Sequence, residues 1–369
     1  MRKDFLTVCF GFILLLSVSV LAESQVKPAG RIPIGPGNPR NGEGDFILLK
    51  DGTIRYFYTA FRTGNDDFDA SDLMFRDSSD GGMTWTEESC LALPNEGSVN
   101  TMSVTVRRLP DGRIALFYLV KDRVDEKIID CRPFMRISED ETTTWGERIA
   151  LVPDHSYNVV NNDRVEILPD GRILVPAARH GYNSNGSITG TSEIFCLISD
   201  DNGASWREGE RAPAAEGVIY QEPGVCRLAD GRLLMNIRTD AGSQYFAYSS
   251  DGGESWTQPE PSPLTSPLSP ALIKRIPGSD LLLAVWNPLR EGHSGWTGSR
   301  ALVCYGVLSP DGTELLDRRS LIDKIDSDDQ NWQYPAILFL DDGTFLTAFF
   351  SWKSGVNIYK IAVPRPKSL

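Results

Sequence analysis

The sequence predicts an all-β protein made of six four-stranded antiparallel units, and two repeats running in phase predict it. The first is the pattern Ser-x-Asp-x-Gly-x-Ser/Thr-Trp, at Ser78 to Trp85, Ser138 to Trp145, Ser199 to Trp206 and Ser249 to Trp256, with Thr142 replacing the glycine in the second copy. It puts four of the chain's eight tryptophans at one point of one motif, which is not chance. The second repeat is an Asp-Gly pair, at Asp51-Gly52, Asp111-Gly112, Asp170-Gly171, Asp230-Gly231 and Asp342-Gly343, with a weaker copy at Pro277-Gly278-Ser279-Asp280. Outside the N-terminus no stretch sustains helical periodicity.

Both repeats have a mechanical reading. Asp-Gly between apolar, β-prone runs, such as Arg164 to Leu168 and Arg172 to Pro176, is a hairpin signal. In the longer motif, Ser and Asp side chains bond nearby backbone N–H groups, Gly supplies a positive φ, and Trp fills the space beneath the turn. The first four units each contain an Asp-Gly turn followed by the tryptophan motif, at intervals of roughly 60 residues. The fifth unit carries the weaker turn at 277–280, and the sixth carries Asp342-Gly343. A β-propeller closes such units without exposed sheet edges. The predicted fold is therefore a six-bladed β-propeller of four-stranded antiparallel blades over residues 23–369.

The outer bounds narrow the function. Met1 to Ala22 has a basic start, an apolar run from Phe5 to Val20 and a Val20-Leu21-Ala22 end, which predicts a signal peptide cleaved after Ala22. No cysteine follows the run, so no lipid-modified N-terminus is indicated, and no second apolar stretch is long enough to cross a bilayer. A secreted or periplasmic protein without a membrane span is expected. The formal charge of −13 argues against a nucleic-acid partner. Five cysteines remain after cleavage, an odd number that leaves at least one free. With three scattered histidines and no CxxC, neither a metal nor an organic cofactor is expected. Asn185-Gly-Ser187 fits a glycosylation sequon.

The repeat also works as a ruler. The residue nine places before each turn glycine is Glu43, Ser103, Asn162, Glu222 or Tyr334, with the degenerate fifth unit near Ser269. In a propeller the first strand of each blade is innermost, so these side chains and their neighbours Asp45, Asn161, Asp163 and Gln221 are predicted to converge on one mouth. Second strands return to the same face and end in Arg62, Asp66, Asp67, Lys121, Asp122, Arg179, His180, Arg238, Asp240, Trp352 and Lys353. The tryptophan turns then lie on the opposite face, as structural elements. Carboxylates, a tyrosine and arginines meeting at one mouth suit glycoside chemistry or recognition of an acidic sugar.

With these repeats the chain resembles the sialidase (neuraminidase) superfamily, whose Asp-box repeats are built on a six-bladed propeller. The resemblance covers essentially the whole mature chain. It implies a tyrosine nucleophile paired with a glutamate, an aspartate acid/base and three arginines holding the substrate carboxylate. By this likeness Tyr334 is the nucleophile, Glu222 its base and Asp67 the acid/base, with Asp66 as fallback. Arg238 and Arg300 are two of the arginines, and Arg62 resembles the one just before the acid/base. The chemistry accounts for the tyrosine. An anionic nucleophile is repelled by the carboxylate on the sugar's anomeric carbon, whereas a neutral phenol assisted by a base is not.

The pattern breaks at the first arginine. The family's Phe/Tyr-Arg-Ile-Pro is replaced by Asn41-Gly42-Glu43-Gly44-Asp45-Phe46, and the ruler puts Glu43 on the arginine's place. Arg31-Ile32-Pro33 lies too far upstream of Asp51-Gly52, leaving Arg40, Arg62 or Arg164 to compensate. Three readings follow: an exo-acting sialidase on sialic or a related nonulosonic acid; another glycosidase or lyase using Glu43, Asp67, Asp163 and Glu222; and a non-catalytic glycan-binding propeller. Asn161-Asn162-Asp163-Arg164, four polar side chains entering an inner strand, favours the first two. In each, the partner is a glycan or glycoconjugate.

Overall fold

The structure, a computed structural model, describes residues 26–295, 299–323 and 331–366. The expected signal peptide, Met1 to Ala22, lies outside the described residues. Among the described residues there is no helix. Strand β1 (Gly30–Ile32) is followed by a four-stranded sheet of β2 (Arg40–Leu48), β3 (Ile54–Phe61), β4 (Ser71–Ser78) and β5 (Cys90–Leu93). A nine-stranded sheet comes next. It holds β6 (Asn100–Arg108), β7 (Ile114–Arg123), β8 (Ile129–Ser138), β9 (Ile149–Ala150), β10 (Tyr157–Val159), β11 (Glu166–Ile167), β12 (Ile173–Tyr182), β13 (Ile188–Ser199) and β14 (Arg207–Glu208). Its two halves are stitched by one parallel pairing, Tyr157 with Cys131.

Two further four-stranded sheets follow. One is β15 (Tyr220–Arg227), β16 (Leu233–Thr239), β17 (Ser243–Ser249) and β18 (Glu260–Thr265), and the other β19 (Leu272–Arg275), β20 (Leu282–Trp286), β21 (Val303–Leu308) and β22 (Leu315–Ile322). The last sheet combines both ends of the described chain. In it β23 (Gln333–Phe339), β24 (Thr344–Ser351) and β25 (Gly355–Ala362) accept β1 on the edge, antiparallel to β25.

The apolar core lies between successive sheets. Phe57 and Leu73 of one sheet pack with Leu116 and Tyr118 of the next, and Ile32, Tyr56 and Phe350 join the last sheet to the first. Second strands are covered on both faces, so Ile114 to Val120 is buried throughout and reads as a continuous apolar run rather than an alternation. First strands lie side by side: β2 touches β6 and β23, and β19 touches β15 and β23.

The repeated turns show why their residues recur. Gly52 has φ 88°, and its N–H donates to Leu49 O while Asp51 Oδ1 accepts from Thr53 N. In the tryptophan motif, Ser78 Oγ donates to Asp80 Oδ1 (2.8 Å) and accepts from Gly82 N, while Asp80 accepts from Thr84 N and Oγ1. Ser309-Pro310-Asp311-Gly312 makes a similar turn: Ser309 Oγ donates to Asp311 Oδ1 (2.7 Å) and accepts from Glu314 N. The sequence reading missed it because no tryptophan follows. The tryptophans also reach further than their own turns. Trp145 packs edge-on to Phe57 and Trp206 to Phe117, each on the preceding set of strands, and Trp85 covers Gly30 of β1. In the degraded copy Glu141 and Thr142 take the left-handed backbone conformation that glycines adopt elsewhere, and Arg108 and Arg55 hold their side chains. All five cysteines among the described residues are free thiols.

Candidate active site

Four first strands carry the same defect at the same place. Register shifts fall between Gly42 and Asp45, Met102 and Thr105, Gln221 and Gly224, and Gln333 and Ala336. The residue inside each bulge has positive φ: Glu43 (52°), Ser103 (62°), Glu222 (40°) and Tyr334 (55°). Bulges re-aim side chains, and a non-glycine residue in this region costs about 1–3 kcal/mol unless its surroundings hold it. All four residues line one cavity of about 480 Å³. In the nine-stranded sheet, the first strand of the second half is interrupted between β10 and β11, and positive φ falls on Asp163 (55°), one place beyond the ruler.

One wall holds a tyrosine and a glutamate. Tyr334 Oη donates to Glu222 Oε1 (2.7 Å), Arg238 donates to Glu222 Oε2 (2.5 Å), and the Tyr334 ring stacks on Phe350. Burial raises the Glu222 carboxyl, but Arg238 and the hydrogen bonds outweigh it and hold the group below its ordinary value. Burial and the Glu222 charge push the Tyr334 phenol well above its usual pKa. The resting pair is thus a neutral phenol donating to a carboxylate. Arg300 stands nearby. It donates to Leu268 O (2.6 Å) and to Gln333, and among the described residues it has no carboxylate partner. Burial and Arg238 lower it to about 10.

The opposite wall is organised by Arg40. Its guanidinium donates to Glu43 Oε1 (2.6 Å) and Asp67 Oδ1 (2.5 Å) and lies over the Phe61 ring at 4.3 Å. The Asp67 backbone is tied down by Asn100 and Lys121, which both donate to its carbonyl, while its side chain stays 55% exposed. Burial acts to raise Asp67, but Arg40 and Lys121 hold it below the ordinary carboxylate range. Buried Tyr157 and His180 complete the lining, with Trp352 exposed at the rim. Among the described residues no group of three or more His, Cys, Asp or Glu is placed to hold a metal ion.

The cavity thus brings together Glu43, Asp67, Glu222, Arg238, Arg300 and Tyr334 of the residues singled out in the sequence. Asp45, Asp122, Arg179, Asp240 and Lys353, also expected at the mouth, do not line it, and neither do five residues given binding roles in the sequence. Arg62 points outward, 58% exposed, and pairs with Asp72. Asp66 is exposed and accepts from Phe68 N, because Asp69 caps the loop and leaves Asp67 as the inward carboxylate. Asn162 is buried and donates to Gly44 O and Pro335 O. Asp163 lies beneath the cavity, where its carboxylate takes Arg107 (2.6 Å), Lys274 and Ile337 N (2.7 Å). Arg164 braces the site from behind by donating to Glu222 O (2.7 Å). Its side chain supports the strand carrying Glu222 rather than supplying a cation to the cavity. Gln333 lines the cavity without having been singled out in the sequence, and Arg40, named there only as one of three possible substitutes for the missing arginine, organises a whole wall. Both sit on first strands a few positions from a bulge, which was the available signal.

The hairpin repeats, the all-β architecture and the polar, charged cavity define a repeat-built β protein with a concave site on its first strands. The chain belongs to the BNR repeat-like domain family, whose model matches residues 52–346. It is 27% identical to a sialidase of Micromonospora viridifaciens over 66% of this chain and 42% of that protein. It is 29% identical to a sialidase of Clostridium perfringens over 58% of this chain and 59% of that protein. It therefore spans about half the length of these curated relatives. A solved Hadza microbial sialidase superposes with a TM-score of 0.72 at 17% identity, over 89% of this chain and 66% of that one, a likeness of fold. These relatives are consistent with the sialidase superfamily.

Proposed function

We propose that the protein is an exported glycoside hydrolase of the sialidase type, releasing terminal sialic acid or a related nonulosonic acid from glycans on a six-bladed propeller. The observation that carries this reading is the Tyr334 Oη to Glu222 Oε1 hydrogen bond on the wall of a cavity that also holds Asp67, Arg238 and Arg300. Arg238 and Arg300 are the cations that receive the sugar carboxylate. Tyr334 Oη attacks the anomeric carbon as its proton passes to Glu222, and the bond to the leaving oxygen breaks as Asp67 protonates that oxygen. In the second half Asp67 takes a proton from water, the hydroxyl attacks the anomeric carbon, and Tyr334 departs with the proton returned by Glu222. The stereochemical outcome is retention.

Asp67 is exposed to the open side of the cavity, which supports its place beside the leaving group. Because Arg40 and Lys121 hold Asp67 ionised, an acid optimum is expected. A second reading is favoured by Glu43: a buried carboxyl beside Asp67, raised by burial to about 7, is suited to donate a proton to a different sugar's leaving group. The deciding experiment is hydrolysis of a fluorogenic sialoside by the purified protein beside its Asp67→Ala variant. Release that disappears in the variant supports the first reading. No release by folded protein, with turnover of a neutral or uronic-acid glycoside lost in Glu43→Gln, replaces it by the second.

A further inference from the structure

One cavity carboxylate has no role in the sialoside reaction proposed above. Glu43 is 4% exposed and sits between two glycines that leave no room for a side chain. A Cβ on Gly42 would stand 2.1 Å from the Phe350 ring, and one on Gly44 2.1 Å from Phe57 O. The bulge is therefore clamped, and Glu43 is held against the cavity. Its Oε1 accepts from Arg40, whereas Oε2 has no hydrogen-bond partner among the described residues. Arg40 is shared: the same guanidinium holds Asp67, so two carboxylates depend on one cation. Lys121, the next cation, donates to the Asp67 carbonyl.

We propose that Glu43 determines specificity by its proton: with an acidic sugar bound it is the neutral acid, donating its Oε2–H to the ligand carboxylate. This rests on the reading of the cavity as a site for an acidic sugar. An ionised Glu43 would put a further anion beside the ligand with Arg40 already divided between two partners, and like charges this close are not both ionised. The other shifted groups facing the site move away from Glu43's range. Asp67 and Glu222 are held low, Tyr334 and Cys131 are raised, and burial lowers His180 below its usual value. Burial and the nearby Asp67 raise Glu43 against the pull of Arg40, to about 7. Asp45, also raised by burial to about 7, lies off the cavity against Arg107. A Glu43 variant separates the two.

The test is calorimetric binding of 2-deoxy-2,3-didehydro-N-acetylneuraminic acid and its methyl ester at pH 6 and pH 8.5. The free acid is expected to bind wild type roughly 30-fold more weakly at pH 8.5, as one-proton linkage requires. The ester should show no such change. Glu43→Gln, a permanently neutral donor, should bind the acid within about threefold of the pH 6 wild-type affinity at both pH values. A wild-type affinity independent of pH, or a Glu43→Gln variant that keeps the slope, overturns the proposal. Should that variant fail to fold, wild type in two buffers of different ionisation enthalpy gives the same answer. Uptake of close to one proton at pH 8.5 with the acid and none with the ester supports the proposal, and equal uptake with both overturns it. Sialoside hydrolysis with a flat pH dependence of binding would keep the sialidase reading and remove Glu43's role. A sloped affinity without hydrolysis would do the reverse.

Discussion

Tyr334 and Glu222, 112 positions apart, share a 2.7 Å hydrogen bond because each sits inside a bulge at the same point of its first strand. Two strained backbones are needed to make this one contact, so its removal is informative. Tyr334→Phe keeps the ring on Phe350 and removes only the oxygen. Sialoside turnover is expected to fall by about 10³-fold or more, with the thermal midpoint unchanged or raised. Turnover within tenfold of wild type would show that another group is the nucleophile.

Asp163 provides the contrasting case. Its carboxylate joins Arg107, Lys274 and Ile337 N beneath the cavity floor without lining it. Asp163→Ala removes a buried carboxylate and leaves two half-buried cations short of a partner, and a loss of about 3–5 kcal/mol in urea denaturation is expected. Substrate KM in the remaining folded protein should move less than threefold. A large KM change with intact stability would instead make Asp163 a binding residue.

Arg300 faces Arg238 with no carboxylate of its own among the described residues, an arrangement suited to an anionic ligand and unfavourable without one. Arg300→Met should raise KM for an acidic substrate by about 10²-fold while leaving the thermal midpoint equal to or above wild type. A fall in both properties would indicate that Arg300 chiefly supports the Gln333 strand.

Trp352 is 44% exposed at the rim. An exposed aromatic at the mouth is placed to pack on the sugar beyond the scissile bond. Trp352→Ala is expected to raise KM about fivefold for a sialylated oligosaccharide and less than twofold for an aryl sialoside. Equal effects on both would place its contact with the sialic acid itself.

Stability should fall at both ends of the pH scale. Asp80, Asp140 and Asp201 are lowered to about 2, chiefly by the motif hydroxyls of Thr84, Thr144 and Ser205. Their contribution is complete above the ordinary value of 3.8 and is lost as pH falls through 2. Glu43 and Asp45 are raised by burial to about 7, so their contribution is present below the ordinary carboxylate range and lost as pH rises through 7. The thermal midpoint should therefore peak at about pH 4 and decline steadily toward pH 7. Asp45→Asn should flatten the alkaline decline and leave the acid one in place. An unchanged alkaline limb would remove Asp45 from this account.

Much of the arrangement was legible because turn and strand lengths are conserved within the chain. A fixed count back from each turn glycine reached Glu43, Ser103, Glu222 and Tyr334, all on the cavity. The count slipped at Asn162 because that first strand is interrupted, which displaces the bulge to Asp163. Arg62 and Asp66 were misplaced for a different reason. Three neighbouring acids, Asp66, Asp67 and Asp69, look alike in sequence, and only the Asp69 cap on the loop decides which of them turns inward. Arg40 stood in the sequence only as one of three candidate substitutes for the missing arginine, because no repeat marks it. Its position follows from two carboxylates and a ring that come together only on folding.

The pairing of β1 with β25 makes the order of synthesis matter. The sheet that presents Tyr334 is completed by residues from the opposite end of the described chain, so it remains a strand short until both have been made. Trimming Gly30–Ile32 would be felt at Tyr334, through a seam of a few backbone hydrogen bonds and the Trp85 ring lying across it. For the sheet that carries Tyr334, Gly30–Ile32 is a working part.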